Sequence, residues 1–136
     1  MTRGPAADRP RIAVLADDLI WATRLADGVR RAGGEAVPAR TASAFTMALA
    51  MADGAVVDLT ARGYDGLAAI GGATAAGVPV IAVGQHDDAT TLRAARAAGA
   101  LRVHAYRTLF EHGDRELGAF IGGLGLRPQP TEETSG

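Results

Sequence analysis

The chain has 136 residues, 48% hydrophobic and 21% charged, with a formal net charge of −1. That is one domain's length, enough to bury about two-thirds of its unfolded surface, and with only 4% aromatics it has neither the basic footprint nor the stacking residues of a nucleic-acid binder. Cysteine is absent and all 14 cationic side chains are arginines, which excludes disulfides, thiolate metal sites, Cys nucleophiles, Schiff-base lysines and a Walker-A lysine.

Residues 1–10 and 125–136 are polar and rich in Pro, Thr and Glu, and are expected to be flexible tails around one domain over 11–124. RIAVLA (11–16) is a short apolar run that ends in Asp17 and Asp18, the pattern of a buried strand. An amphipathic stretch follows to Ala32, with Trp21, Leu25 and Val29 four apart and Gly33-Gly34 as its stop. EAVPAR (35–40) reads as a weaker second strand. TASAFTMALAMADG (41–54) opens on a Thr or Ser cap and continues at helical spacing.

AVVDLT (55–60) is the third strand, with Asp58 near its end. Residues 65–76 form an Ala/Gly-rich helix, and VPVIAVG (78–84) a fourth strand. DDATTLRAARAAGA (87–100) is a helix with an acidic start, which suits the positive end of the helix dipole. LRVHAYR (101–107) is expected as the fifth strand and HGDRELGAFIGGL (112–124) as the last helix. Apolar strands alternating with helices predict an α/β fold, a doubly wound, five-stranded parallel sheet covered on both faces. In such folds the working site lies at the carboxyl ends of the strands, where Asp17, Asp18 and Asp58 fall.

Several other features have ordinary explanations. Asp87 and Asp88 after His86 suit helix capping, and His104 and His112 lack an i, i+4 partner for a metal site. The glycine pairs at 71–72 and 122–123 do not sit between a strand and a helix start, so no dinucleotide fingerprint is present. Arg93 and Arg96 read as a solvated helix face. No apolar run approaches the ~20 residues of a membrane span and no signal-like segment follows MTRGPAADRPR, so a cytoplasmic location is expected.

The ordered set of motifs resembles the receiver domain of bacterial two-component response regulators. The resemblance rests on LADD after strand one, VVDLT at strand three, YDG seven residues beyond Asp58, PVIAV in strand four and Ala98-Gly99-Ala100 before strand five. It covers about residues 10–122 and implies the (βα)5 flavodoxin-like receiver fold. It also implies that Asp58 accepts a phosphoryl group, and that Asp17, Asp18, Asp58 and the Thr60 carbonyl hold Mg2+. The implied role is phosphorelay signalling, not enzymatic turnover, through a histidine kinase or a downstream effector protein, with no nucleic-acid or membrane partner.

The chain departs from the family pattern at three pocket positions. Gly84 stands where the family has a Thr or Ser, Tyr106 where it has a lysine, and Arg107 where it has a proline. Arg107 or Tyr106 would have to cover for the lysine. Val103 occupies the position of the aromatic switch residue. These departures support an alternative, a pseudo-receiver that binds partners without phosphorylation. A flavodoxin-like nucleotide or flavin binder is disfavoured, because the ADDL turn places two negative charges where a phosphate loop is needed.

Overall fold

A computed structural model describes residues 9–84 and 89–124. The expected tails and the His86-Asp87-Asp88 cap lie outside the described residues, apart from positions 9 and 10. The elements alternate strictly: β1 (Arg11–Leu15), α1 (Leu19–Arg31), β2 (Glu35–Ala39), α2 (Ala42–Leu49), β3 (Gly54–Asp58), α3 (Gly66–Ala75), β4 (Val80–Gly84), α4 (Ala89–Ala98), β5 (Arg102–Ala105) and α5 (Tyr106–Leu124). The five strands pair in parallel in the order β2-β1-β3-β4-β5.

Period-two alternation divides the sheet's side chains into two cores. Ala13, Leu15, Val57, Val80 and Ala82 face one side, against Phe45 and Leu49 of α2, Ile70 and Ala73 of α3, and Ala95 of α4. Ile12, Val14, Val56, Ile81 and Val83 face the other, against Leu25 and Val29 of α1 and Leu109, Leu117 and Ile121 of α5. Every residue of β3 and β4 is buried. A strand covered on both faces must be apolar throughout, which is why both read as continuous hydrophobic runs.

Helix starts follow the sequence signals. The side chains of Asp18, Thr41 and Asp65 accept from the backbone N–H groups of Trp21, Ala44 and Ala68, which caps α1, α2 and α3. Asp53 joins two strand entries, accepting from the Arg11 N–H at 2.9 Å while its own N–H donates to the Arg11 carbonyl at 2.7 Å. Pro38 lies inside β2, on the edge of the sheet, where its missing donor faces away from a partner strand.

Three boundaries differ from the sequence expectation. α2 ends at Leu49 rather than near residue 54, where bonds from Met51 to Ala48 and Ala52 to Leu49 tighten the chain into a turn. Tyr106 and Arg107 belong to α5 and not to the fifth strand, because Gly84, the last residue of β4, already pairs with Ala105. Helix α5 thus starts before residue 112, with a break at His112 (φ −133°, ψ 23°). Among the described residues, no helix is long and apolar enough to cross a membrane.

Candidate functional site

Asp58 is the last residue of β3 and continues the row of Val56, so its side chain stands on the α1/α5 side of the sheet. It is only 1% exposed. Oδ1 accepts two hydrogen bonds from Thr60, from the backbone N–H and from Oγ1, both at 2.8 Å. A short acid commonly bonds the amide two residues on in this way. Oδ2 is buried and has no hydrogen-bond partner among the described residues. A buried acid oxygen left unpaired is costly.

Two tyrosines frame this carboxyl group. The Tyr64 hydroxyl approaches the carbonyls of Asp58 at 2.6 Å and Leu15 at 3.0 Å, which ties the ends of β3 and β1 together. Burial first, and then the charges of Asp58 and Asp17, push its phenol well above the usual tyrosine range. The Tyr106 hydroxyl lies 3.3 Å from Thr60 Oγ1. Either hydroxyl can be the donor in this contact. Burial, followed by the neighbouring Asp58 carboxyl, raises the Tyr106 phenol as well. The Tyr106 ring packs on Trp21 of α1, with centroids 3.8 Å apart at 40°, and the Arg24 guanidinium lies 5.7 Å from the Trp21 centroid.

The two acids after β1 take different directions. Asp17 Oδ2 accepts the Gly63 N–H at 2.8 Å, and the Asp17 carbonyl accepts from Arg40 at 2.9 Å. A Cβ at position 63 would fall 2.8 Å from that carboxyl oxygen, so glycine permits the close approach. Asp18 Oδ1 is occupied in capping α1, at 3.1 Å from the Trp21 N–H. Each of these two carboxylates thus has one oxygen engaged by a backbone N–H. Among the described residues, no group of three or more acids or histidines is arranged to hold a metal ion. What does fit a hard, oxygen-seeking cation is the orphaned Oδ2 of Asp58, with Asp17 and Asp18 on the turn above it.

Of the departures, Gly84 ends β4 without a hydroxyl, and a Cβ there would rest in ordinary contact with Leu59 at 3.5 Å. Arg107 is directed along its own helix, with Nε 3.1 Å from Glu111 Oε1 and a side chain 84% exposed. Sequence reasoning missed Tyr64, Gly63, Arg40 and the Trp21–Tyr106 contact. Tyr64 was legible only in part, as the residue before the Asp65 cap. The sequence reading named the Thr60 carbonyl and did not foresee that the Thr60 N–H and hydroxyl meet Asp58.

No family model and no curated protein matches the sequence. Solved structures do match in shape. A two-component response regulator of the LuxR family from Aurantimonas sp. SI85-9A1 superposes with a TM-score of 0.72 at 20% identity, over 93% of this chain and 94% of that one. A response regulator from Thermotoga maritima gives 0.72 at 14%, over 85% and 99%. A CheY-like response regulator receiver domain protein from Methanospirillum hungatei JF-1 gives 0.65 at 18%, over 94% and 99%. The strand order, the buried acid at the end of β3 and these superpositions agree: the chain has the fold of response-regulator receiver domains.

Proposed function

We propose that this chain is a signalling receiver module that acts through protein–protein contact, with Asp58 as its phosphoacceptor. The observation that carries the reading is the state of Asp58. Its Oδ1 is fixed twice by Thr60, while Oδ2 is buried with its bonding capacity unused. An oxygen placed in this way is available to take up a further group. In this reading Asp17, Asp18, Asp58 and the Thr60 carbonyl hold Mg2+, which supplies neutralisation of charge around a transferring phosphoryl group. Thr60 orients the accepting carboxyl, and Tyr64 holds the strand ends that position it. Tyr106, kept protonated, offers a neutral donor beside Thr60. A histidine kinase as donor and an effector protein as recipient complete the role.

The test is a Mg2+ and beryllofluoride titration, in which beryllofluoride stands in for the phosphoryl group. Trp21 emission serves as the signal, repeated on Asp58→Ala. A saturable change lost in Asp58→Ala is expected. Its absence by both fluorescence and calorimetry would reject the phosphoacceptor role.

A second reading has its own observations. Gly84 provides no hydroxyl, and Arg107 is paired with Glu111 instead of standing in for lysine. A pseudo-receiver, which binds its partner without phosphorylation, accounts for both. It predicts that Asp58→Ala leaves partner affinity unchanged.

A further inference from the structure

Two neighbouring surface helices, α2 and α3, carry no charge. The chain is 21% charged, so one residue in five is the expectation, yet no Arg, Asp or Glu occurs from Thr41 to Ala52 or from Gly66 to Gly84. Other helices keep to that expectation: α1 has Arg24, Asp27, Arg30 and Arg31, and α4 has Arg93 and Arg96. The uncharged face is not a buried one. Met47 is 75% exposed, and Met51, in the turn after α2, is 60% exposed. Between the two helices lies a cleft of about 330 Å3, with buried Leu49 as its floor and Thr46, Ala50, Gly72 and Ala76 around it. Ala50 lines this cleft, and Met47 stands three residues before it, on the same side of α2. Exposed apolar surface that gains methionine and loses charge has the composition of an interface and not of a solvated helix.

The occupant this face fits is a second copy of the chain. Across a two-fold axis, groups near the axis meet their own counterparts, so a charge there would meet a like charge. A charge-free face pairs with itself without that cost, and a net charge of −1 leaves little repulsion between whole chains. The face also holds both halves of a contact. Met47 is an unbranched side chain of the kind that fills irregular gaps, and the cleft beside it is such a gap. We propose that two copies pair through α2 and α3, with Met47 of each seated in the α2–α3 cleft of the other. Area sets the strength of this pairing. Helices of 8 and 10 residues, each about 10 Å across and up to about 15 Å long, offer roughly 300 Å2 in plan. A standard stable interface needs about 800 Å2 a side, so the pair is weak and forms only as concentration rises. It lies on the opposite side of the sheet from the Asp58 side chain, and does not depend on Asp58 being phosphorylated.

Sedimentation equilibrium of the full chain, from about 10 μM to about 1 mM, reads the association directly. A rise in mass from monomer toward dimer, with a Kd of about 0.1–1 mM, is expected. Met47→Glu should weaken it about ten-fold or more, because a charge would have to enter the cleft. Gly72→Glu should do the same from the cleft side. A Cβ at position 72 meets nothing within 4 Å, so the fold accepts that side chain without a clash. Met47→Lys mixed with Gly72→Glu should pair more tightly than either variant alone, since the introduced charges are opposite and one intact Met47 still finds an intact cleft. Leu101→Glu, at an exposed apolar site off this face, should leave the Kd unchanged. Far-UV circular dichroism confirms that each variant is folded. A chain that stays monomeric at 1 mM would overturn the proposal and exclude a second copy as the occupant. Association that Met47→Glu and Gly72→Glu leave unaltered, or that Leu101→Glu weakens equally, would put the contact on another face and overturn it as well. A mixture no tighter than its components would overturn the seating of Met47 in the cleft.

Discussion

At the scale of single residues, Asp58 and Thr60 form one unit. Thr60→Ala removes one of two hydrogen bonds to a buried carboxyl group, and the general cost of leaving such a group under-satisfied is about 1–3 kcal/mol. Urea unfolding of Thr60→Ala should show a loss in that range. In the Asp58→Ala background the same substitution should cost under about 0.5 kcal/mol, because the group it served is gone. A full loss in both backgrounds would mean that Thr60 stabilises the loop and not the acid. Asp58 itself was readable from sequence, as an acid closing an apolar run. Tyr106 was readable only as a departure, because its hydroxyl's position depends on where β5 stops. A strand pattern in LRVHAYR cannot reveal that its partner strand ends at Gly84.

At the scale of elements, the turn between α4 and β5 is set by contact with α3. Gly99 has φ +121°, and a Cβ at this position would run into the Thr74 side chain. Thr74 is itself held in α3 by donating to the Ile70 carbonyl at 2.9 Å. Gly99→Ala therefore meets both backbone strain and a clash, and should cost about 2 kcal/mol or more in chemical denaturation. Thr74→Ala on the same background should recover the steric part but not the backbone part. Full recovery would show that the left-handed conformation carries no cost here. The sequence placed Gly99 before a strand but held no sign that its neighbour would be Thr74. The central strands β3 and β4 were legible because burial on both faces forces near-continuous apolar runs. The expected start of the last helix at residue 112 falls on the break at His112, but the helical stretch from Tyr106 up to that break was not legible in a pattern that reads as strand.

At the scale of the whole molecule, pH acts on stability from both sides. The His104 imidazole is buried, and its pKa lies below 6.5, chiefly through burial and also through Arg102, with Glu116 opposing. The unfolded chain therefore takes up that proton first, and stability should fall as pH drops below 6.5. Tyr64 and Tyr106 do the reverse. Their phenols are raised above the ordinary 10.0, so the unfolded chain loses protons that the fold retains. Stability should fall again as pH rises beyond that value. Urea midpoints across pH would check both arms: His104→Gln should flatten the acid arm, and Tyr64→Phe with Tyr106→Phe the alkaline one. Parallel curves for the variants and the parent would remove the assignment.

The two margins of the sheet limit how this molecule can be joined to another. β2 carries Pro38 in its middle, so one margin lacks a donor that an incoming strand would need. β5, at the other margin, has only four residues before the chain turns into α5. Backbone zippering, which recognises almost any extended peptide, thus finds little purchase on either side. A partner of the proposed receiver module is therefore expected to be recognised by side chains on the helices and on the turns above the strands, where substitutions can change which partner fits without disturbing the fold beneath.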